Sequence, residues 1–273
     1  QSPRLTPCPA IRIGAGRPAG PGPFPDEDSP VYVAFSWTEA AGMVNLGTLG
    51  GEASYATGIN DNGQVVGYSE LADLSTHAFV WTAGGGMIDL GTLPGGSASY
   101  ANAISDSGQV VGQSVTTSGE SHAFSWTEDG GFVDIGALAG AGTYSSAYAL
   151  NASGQVVGQF APAGGFGHAF SWTPTGGFVD LGTLGGSIST ALAVNDSGQV
   201  IGNSDTASGY PHGFSWTAAG GLVDLGTFGG PIGQAADVNA SGQVVGVATT
   251  GTGEGRAFSW TAAGGLVELS EEN

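Results

Sequence analysis

The sequence predicts an all-β protein, a β-propeller of six blades of about 45 residues each. Repeats of this length are typical of four-stranded propeller blades. Gly, Thr, Ser and Val dominate every window of the repeats, a composition that disfavours helix. The repeat is most easily followed on its tryptophans, which recur at spacings of 44, 45, 46, 44 and 44 residues: Trp37, Trp81, Trp126, Trp172, Trp216 and Trp260.

Each complete repeat contains four strand-like segments, which we name A, B, C and D in chain order. In the second complete repeat they are Ala101–Ser105, Gln109–Ser114, His122–Thr127 and Gly131–Gly136. A and B are joined by Asp-Ser-Gly, a short turn whose glycine supplies the positive φ of a tight hairpin. C and D are joined by a turn that ends in Gly-Gly. The pattern therefore predicts a four-stranded antiparallel meander.

Strand C indicates how neighbouring meanders pack. Its bulky residues His122, Phe124 and Trp126 alternate with small ones, so one face of the strand is bulky and the other is small. We expect the bulky face of one blade to lie on the small face of the next. The six tryptophans are then packing residues of the repeat core.

The ends of the chain break the pattern, because segments C and D occur six times but A and B only five. The first repeat, residues 31–49, lacks its A–B hairpin, and the sequence stops soon after a D strand, at Leu269. Residues 1–30 form a Pro/Gly-rich tail that precedes the repeat propeller of residues 31–273. The one strand-like stretch of the tail is Ala10, Ile11, Arg12, Ile13 and Gly14.

Two roles are open for this N-terminal strand. It completes the first blade of its own chain, or it is donated to the incomplete blade of a neighbouring subunit by strand addition. Head-to-tail donation that does not close produces a filament.

The charge excludes some partners. The chain has 23 acidic residues, four arginines and no lysine, for a net charge of −19, so nucleic acid is a poor partner. A single cysteine, Cys8, excludes an internal disulfide, and no apolar run of membrane-spanning length occurs. The chain begins at Gln1 rather than Met, which indicates a processed and exported, extracellular protein.

The repeated motifs also resemble a known family. His-Ala-Phe-Ser-Trp-Thr, at His122–Thr127 and His168–Thr173, recurs with Val-Asp-Leu-Gly-Thr-Leu-Gly-Gly and Asn-Asp-Ser-Gly-Gln-Val. Together they resemble the HAF-repeat family of bacterial extracellular proteins over residues 31–269. The resemblance implies an exported bacterial protein and transfers no catalytic residue. The pattern departs at the outer repeats, where Val33 and Arg256 replace the histidine.

Two repeated sets of polar residues suggest chemistry. One histidine begins strand C in each of four different blades, so the four are too far apart to share a zinc ion, and we expect packing and hydrogen bonding inside each blade. Strand D carries one acidic residue in each of several blades. Glycoside hydrolysis needs two carboxylates in unlike environments at one bond, so this repeated position is not expected to be catalytic. We expect these carboxylates to accept hydrogen bonds in the D-strand turn. The residues are His77, His122, His168 and His212, and Asp89, Asp134, Asp180, Asp224 and Glu268 with Asn45.

The A–B turns contain further candidates. Asp61, Asp106 and Asp196 suggest Ca²⁺, but these turns lack the additional carboxylate of a tight site, and local Asx-turn bonding is the simpler expectation. Asn-x-Ser sequons, which matter only where glycosylation machinery exists, begin at Asn151, Asn195 and Asn239.

The sequence therefore predicts a non-enzymatic extracellular structural or interaction protein that self-assembles by N-terminal strand donation, without catalytic residues or a cofactor. The alternative is a glycan-binding module that uses the repeated surface as several weak sites, on the cell surface or in a matrix. Its candidate sugar platform is aromatic: Tyr55, Tyr100, Tyr144 and Tyr210.

Overall fold

The structure is a computed structural model that describes residues 12–16, 32–140, 144–162 and 164–269. Strands account for 64% of the residues and helix for 2%, so the all-β prediction is confirmed. Within the described ranges, no helix has the length and apolar character needed to cross a membrane.

The chain divides into two compact units, Gln1–Val110 with Ser114–Gly119, and Val111–Gln113 with Glu120–Asn273. The strands of the first unit are β1 (Arg12–Gly16), β2 (Val33–Thr38), β3 (Gly42–Gly47), β4 (Gly50–Ile59), β5 (Val65–Leu71), β6 (Thr76–Thr82), β7 (Gly86–Gly91) and β8 (Ala98–Ile104). The residues of β9 (Val110–Val115) are shared between the two units.

The second unit contains the remaining elements. They are β10 (Ser121–Thr127), β11 (Gly131–Asp134), α1 (Ile135–Leu138), β12 (Tyr144–Leu150), β13 (Val156–Ala161), β14 (His168–Thr173), β15 (Gly177–Gly182), β16 (Gly185–Val194), β17 (Val200–Thr206), β18 (Pro211–Thr217), β19 (Gly221–Asp224), β20 (Gly229–Val238), β21 (Val244–Thr250), β22 (Gly255–Thr261) and β23 (Gly265–Glu268).

The predicted antiparallel meander is confirmed in β4–β7 and, in the second unit, in β12–β15, β16–β19 and β20–β23. We call each meander a blade. Strands A and B approach closely, because a Cβ on Gly202 would overlap the carbonyl oxygen of Thr190. The invariant Gly of segment B is therefore required by the backbone spacing of the A–B hairpin.

One predicted strand is shorter than expected. Segment D of the second complete repeat ends at Asp134, and α1 follows where the sequence predicted extended chain to Gly136. In other repeats a threonine hydroxyl holds this connection extended, as Thr183 Oγ1 does by donating to the carbonyl of Gly186 at 2.8 Å. Ala137 replaces that threonine. The amide of Ala137 instead donates to Asp134 Oδ1, which caps the short helix.

The N-terminal strand lies in its own chain. β1 pairs antiparallel with β2, with Arg12 opposite Trp37 and Gly14 opposite Phe35. This register matches β5 and β6, where Val65 lies opposite Trp81 and Gly67 opposite Phe79. β1 therefore fills the position of strand B in the first blade, β1–β3, and the choice between the two predicted alternatives stays a prediction. Ala10 and Ile11 lie outside the described residues, and the strand continues to Gly16.

The predicted packing of bulky on small faces is confirmed within each unit. Phe258 and Trp260 of β20–β23 pack with Ile201 and Leu225 of β16–β19. The phenylalanine of strand C is deeply buried, being at most 1% exposed in five repeats. Of the tryptophans, Trp172 and Trp260 are buried, whereas Trp37, Trp81, Trp126 and Trp216 are partly exposed.

Candidate functional site

The C-terminal blade, β20–β23, presents an apolar face to solvent. Val245 and Val247 on β21 are 39% and 50% exposed. The residues in the position of Val245 in other blades, Val66, Val157 and Ile201, are all 0% exposed. With Asp237 and Ala257, which are also exposed, Val245 and Val247 form what we call the exposed small face.

The inner blades show what covers this face elsewhere. Val157 and Leu181 of β12–β15 lie in a cluster with Val200 and Phe214 of the next blade. Ala34 and Leu46 of the first blade lie with Val65 and Phe79 in the same way. In each case the small face is covered by the bulky face of the following blade.

The first blade presents the opposite kind of surface. Phe35 of β2 is partly exposed, although the equivalent Phe79 and Phe214 are 0% exposed. Met43 of β3, opposite Trp37, is 61% exposed. We call Phe35, Trp37 and Met43 the exposed bulky face. Inside the chain, bulky faces of this kind cover the small faces of the preceding blades.

Polar bonds reinforce the inner junctions. Gln159 of strand B donates from Nε2 to Thr190 Oγ1 of the next strand A at 2.7 Å. Asn203, in the same position of the next blade, accepts from the amide of Ala235 at 2.9 Å. In the C-terminal blade this position is Val247, which forms no such bond. At this position the exposed small face is thus apolar where its inner counterparts carry an amide.

The histidines of strand C are bonded inside their blades, as predicted. His122 Nδ1 lies 3.0 and 2.9 Å from the two carboxylate oxygens of Asp134. The same pair recurs as His77–Asp89, His168–Asp180 and His212–Asp224. The aspartates also accept bonds in the D-strand turn, as Asp224 does from the amide of Gly226 at 2.8 Å.

Both predicted roles are therefore confirmed, but the pairing itself was not predicted. Its signal is the constant separation of twelve residues between each histidine and its aspartate. In the C-terminal blade Arg256 replaces the histidine and lies 3.6 Å from Glu268, so a basic residue again faces an acidic one. No group of three or more His, Cys, Asp or Glu in the described ranges is arranged to hold a metal ion.

The A–B turns differ from the prediction. Local Asx bonding belongs to asparagine: Asn195 Oδ1 accepts from the amides of Ser197 and Gln199. Two of the turn aspartates bond between repeats instead: Asp106 Oδ1 accepts from the amide of Asp61, and Asp196 Oδ1 from the amide of Ala152, each at 2.9 Å. Asn195 is also buried, with Nδ2 donating to the carbonyl of Asn239 at 3.0 Å. The sequons at Asn151 and Asn195 are thus buried in blade junctions, whereas Asn239 is exposed.

A pocket of 450 Å³ lies in the second unit beside Trp216. Thr173 and Thr217 line it, and their hydroxyls accept bonds from the amides of Gly176 and Gly220. Gln155 lines it as well and donates to Ser171 Oγ at 2.9 Å. The other lining residues are also uncharged: Gly176, Gly177, Val179, Ser197, Gly198, Ala218 and Ala219.

The four tyrosines that are candidates for a sugar platform do not lie together. Tyr55 and Tyr100 lie in a row with Tyr32 and Tyr68, and neighbouring ring centroids are 6.1, 5.1 and 5.2 Å apart. Tyr55 and Tyr68 stack on each other, which covers the ring faces that a sugar would use. Burial, followed by the neighbouring tyrosines, raises the pKa of Tyr68. Tyr144 and Tyr210 are exposed and lie outside this row.

The chain is similar to several solved structures. TolB from Acinetobacter baumannii matches with a TM-score of 0.54 and 11% identity, covering 96% of this chain and 64% of that chain. Porphyromonas gingivalis dipeptidyl peptidase 4 matches at 0.57 and 9%, covering 88% and 42%. A puromycin hydrolase matches at 0.52 and 15%, covering 88% and 43%.

The fold is a β-propeller. This propeller chain spans less than two thirds of the length of each of the three solved structures. No family model and no curated protein matches the sequence. At identities this low the likeness shows the fold alone, and the number of blades stays a prediction.

Proposed function

We propose that this propeller is a non-enzymatic, extracellular structural protein of the HAF-repeat type that self-assembles head to tail. The observation that carries the proposal is the exposed small face, where Val245 and Val247 are open to solvent although their counterparts are buried. Contiguous exposed apolar surface marks interaction sites. The first blade offers the surface type that covers such faces inside the chain.

A contact between these two faces is heterologous, because each subunit contributes a different surface. Such contacts give a ring if the rotation closes and a filament if it does not. Burying a valine fully contributes about 1.5–3 kcal/mol, so the two half-exposed valines provide a useful part of the association free energy. The contact differs from the strand donation predicted from sequence, because it leaves β1 in its own blade.

The polar groups support a non-enzymatic role. The histidines and aspartates that suggest catalysis are bonded to each other, one pair to a blade. An active site needs residues with unlike roles in one cleft, whereas these pairs repeat the same role in successive blades. The strongly acidic chain also favours protein or glycan surroundings over nucleic acid.

The proposal is tested by placing a charge on the exposed small face. Val247→Lys is expected to abolish concentration-dependent association in light scattering, because a lysine cannot be buried against an apolar face without a partner. The matched control is Val223→Lys, since Val223 is 43% exposed in the preceding blade. Circular dichroism should show unchanged β content in both variants. Association that survives Val247→Lys would overturn the proposal.

A second candidate function is recognition of a neutral glycan at the Trp216 pocket. A volume of 450 Å³ suits a small ligand, and a partly exposed indole with hydroxyl and amide groups around it can bind a molecule that is apolar on one face and polar on its edge. The threonine hydroxyls accept from glycine amides and keep their hydrogens for a ligand. The uncharged lining favours a neutral sugar over an anionic one.

This candidate is tested on a glycan array. The wild-type protein is expected to bind neutral glycans. Ala219→Glu places a charge at the rim of the pocket and is expected to abolish this binding. Ala40→Glu is the matched control, because Ala40 occupies the same hairpin position in the first blade. No binding by the wild type, or equal binding by both variants, would remove this function.

A further inference from the structure

We infer that the second unit carries two equivalent sugar sites, one at Trp216 and one at Trp260, and that they bind a glycan that displays the same neutral sugar more than once. This inference rests on the glycan candidate proposed above and adds a second site to it. Both sites lie inside the second unit, at the junctions of β12–β15 with β16–β19 and of β16–β19 with β20–β23.

The lining of the Trp216 pocket recurs one repeat further along the chain. Twelve residues line this pocket, and the residue 44 positions after each of them is of the same type. Trp260 and Ala263 thereby correspond to Trp216 and Ala219. Residues beside the lining do change between the repeats, as Asp196 does to Ala240. The side chains that form the pocket are therefore all present at the second junction.

The two junctions are also joined by the same hydrogen bonds. Asn151 Nδ2 donates to the carbonyl of Asn195 at 2.9 Å, and Asn195 Nδ2 donates to the carbonyl of Asn239 at 3.0 Å. Each turn holds its serine in the same way, because the amides of Ser197 and Ser241 donate to their asparagines at 3.1 Å. The blades on either side of the two sites are thus placed alike.

A glutamine has the same partner in both sites. Gln155 Nε2 donates to Ser171 Oγ and Gln199 Nε2 donates to Ser215 Oγ, each at 2.9 Å. Such a bond fixes the orientation of the amide before a ligand arrives, which lowers the entropy lost on binding.

The hairpin hydroxyls of the two sites are oriented alike as well. Thr217 Oγ1 accepts from the amide of Gly220 at 3.0 Å, and Thr261 Oγ1 accepts from the amide of Gly264 at 3.0 Å. A hydroxyl that accepts in this way retains its own hydrogen for a sugar oxygen. The second site therefore offers the same uncharged donors and the same indole as the first.

The Trp260 site is the tighter of the two. Trp260 is only 9% exposed, whereas Trp216 is partly exposed. Gln199 Oε1 also lies closer to the turn glycine, because it would be 2.8 Å from a Cβ on Gly242, against 3.3 Å for the corresponding pair in the first site. Less of the indole is open to a sugar ring, so we expect the Trp260 site to bind more weakly than the Trp216 site.

Two weak sites in successive blades act together on a repeated ligand. Once one site holds a sugar, the other meets the next sugar of the same glycan at a raised local concentration. The lining is uncharged in both sites, which selects a neutral sugar in each. The expected ligand is therefore a polysaccharide or a dense surface glycan that repeats a neutral sugar.

Calorimetric titration of the full chain tests the inference with three short neutral probes: cellobiose, maltose and N,N′-diacetylchitobiose. The wild type should bind two molecules of a recognised probe per chain. Ala219→Glu and Ala263→Glu should each bind one, and the double variant none, because each glutamate blocks one site. Ala40→Glu is the control and should retain both sites. Circular dichroism and thermal unfolding check that every variant is folded.

A glycan array gives a second readout, because washing removes ligands that are held at one weak site. Loss of either site should lower the apparent affinity for a densely printed neutral glycan roughly tenfold or more. Ala263→Glu should therefore lose array binding, as Ala219→Glu does.

The outcomes separate this inference from the glycan candidate itself. If the wild type binds one molecule per chain, Ala219→Glu removes it and Ala263→Glu leaves it unchanged, the Trp216 site stands and the second site is wrong. If neither the probes nor the array glycans bind, or neither variant changes binding, the glycan function and the second site fail together. Loss of one of two sites in each single variant is the result we expect.

Discussion

His212 and Asp224 face each other across β18 and β19, with the histidine Nδ1 3.0 and 2.9 Å from the two carboxylate oxygens. The carboxylate also accepts from the amide of Gly226, so it joins strand C to the turn that follows strand D. The pair therefore fixes the outer edge of a blade.

Removing that carboxylate should destabilise the blade. We expect Asp224→Ala to lower the free energy of unfolding by about 1–2 kcal/mol, because a charged acceptor of two partners is lost. Asp224→Asn should cost less, since the side chain retains an acceptor for Gly226. Denaturant unfolding measures both. Glu128→Ala, at an exposed hairpin position, is the control and should change stability little. Equal stability of Asp224→Ala and the control would contradict the structural role.

The close approach of strands A and B predicts a larger effect. In Gly202→Ala the new methyl group would overlap the backbone carbonyl of Thr190, which cannot move without disturbing the hairpin. We expect the free energy of unfolding to fall by about 3 kcal/mol or more. Gly84→Ala is the control, because a Cβ there meets nothing within 4 Å and the glycine has no positive φ. Similar melting temperatures for the two variants would contradict the close approach of strands A and B.

The turn asparagines predict a difference between an inner and an outer blade. Asn195 bonds to its own turn and to the carbonyl of Asn239 in the next blade, whereas the amide of Asn239 bonds to Gln243 of its own turn. Asn195→Ala should therefore lower the free energy of unfolding by about 1–2 kcal/mol more than Asn239→Ala does. Urea unfolding of the two variants measures the difference, and a larger loss for Asn239→Ala would contradict the assigned junction.

Strand donation, the route predicted from sequence, can be separated from docking of blade faces. Ile13 lies opposite Ser36 in the β1–β2 ladder, so Ile13→Cys with Ser36→Cys can cross-link β1 to its own blade, in a Cys8→Ser background. If faces dock, the oxidised protein assembles as well as the reduced one. If β1 is exchanged between subunits, oxidation within monomers blocks assembly. The Cys8→Ser protein without the new cysteines is the control.

Much of the fold follows from the sequence, because the same local sequence pattern recurs in successive repeats. The tryptophan spacing, the Gly-ended turns and the alternation in strand C predict the meander and the packing of bulky on small faces. The short helix at Ile135–Leu138 was not predicted, and it coincides with Ala137 in place of the threonine of the other repeats. The pairing of His212 with Asp224 was not predicted, because it depends on the register of strand C on strand D, in which Phe214 lies opposite Asp224.

The candidate site was harder to predict for a physical reason. Whether Val245 is buried depends on what lies against its blade, and the residue type is the same as in the inner blades. The mismatch between six C–D hairpins and five A–B hairpins did indicate that the ends of the chain differ. What the sequence alone did not reveal is that the difference also appears as solvent exposure of Val245 and Val247 on the last blade.

Sedimentation velocity of the intact chain over a wide range of protein concentration tests the central claim most directly. Head-to-tail docking of blade faces predicts a sedimentation coefficient that rises steadily with concentration, and a rise that disappears in Val247→Lys. A single species of monomer mass at every concentration, unchanged by Val247→Lys, would contradict it.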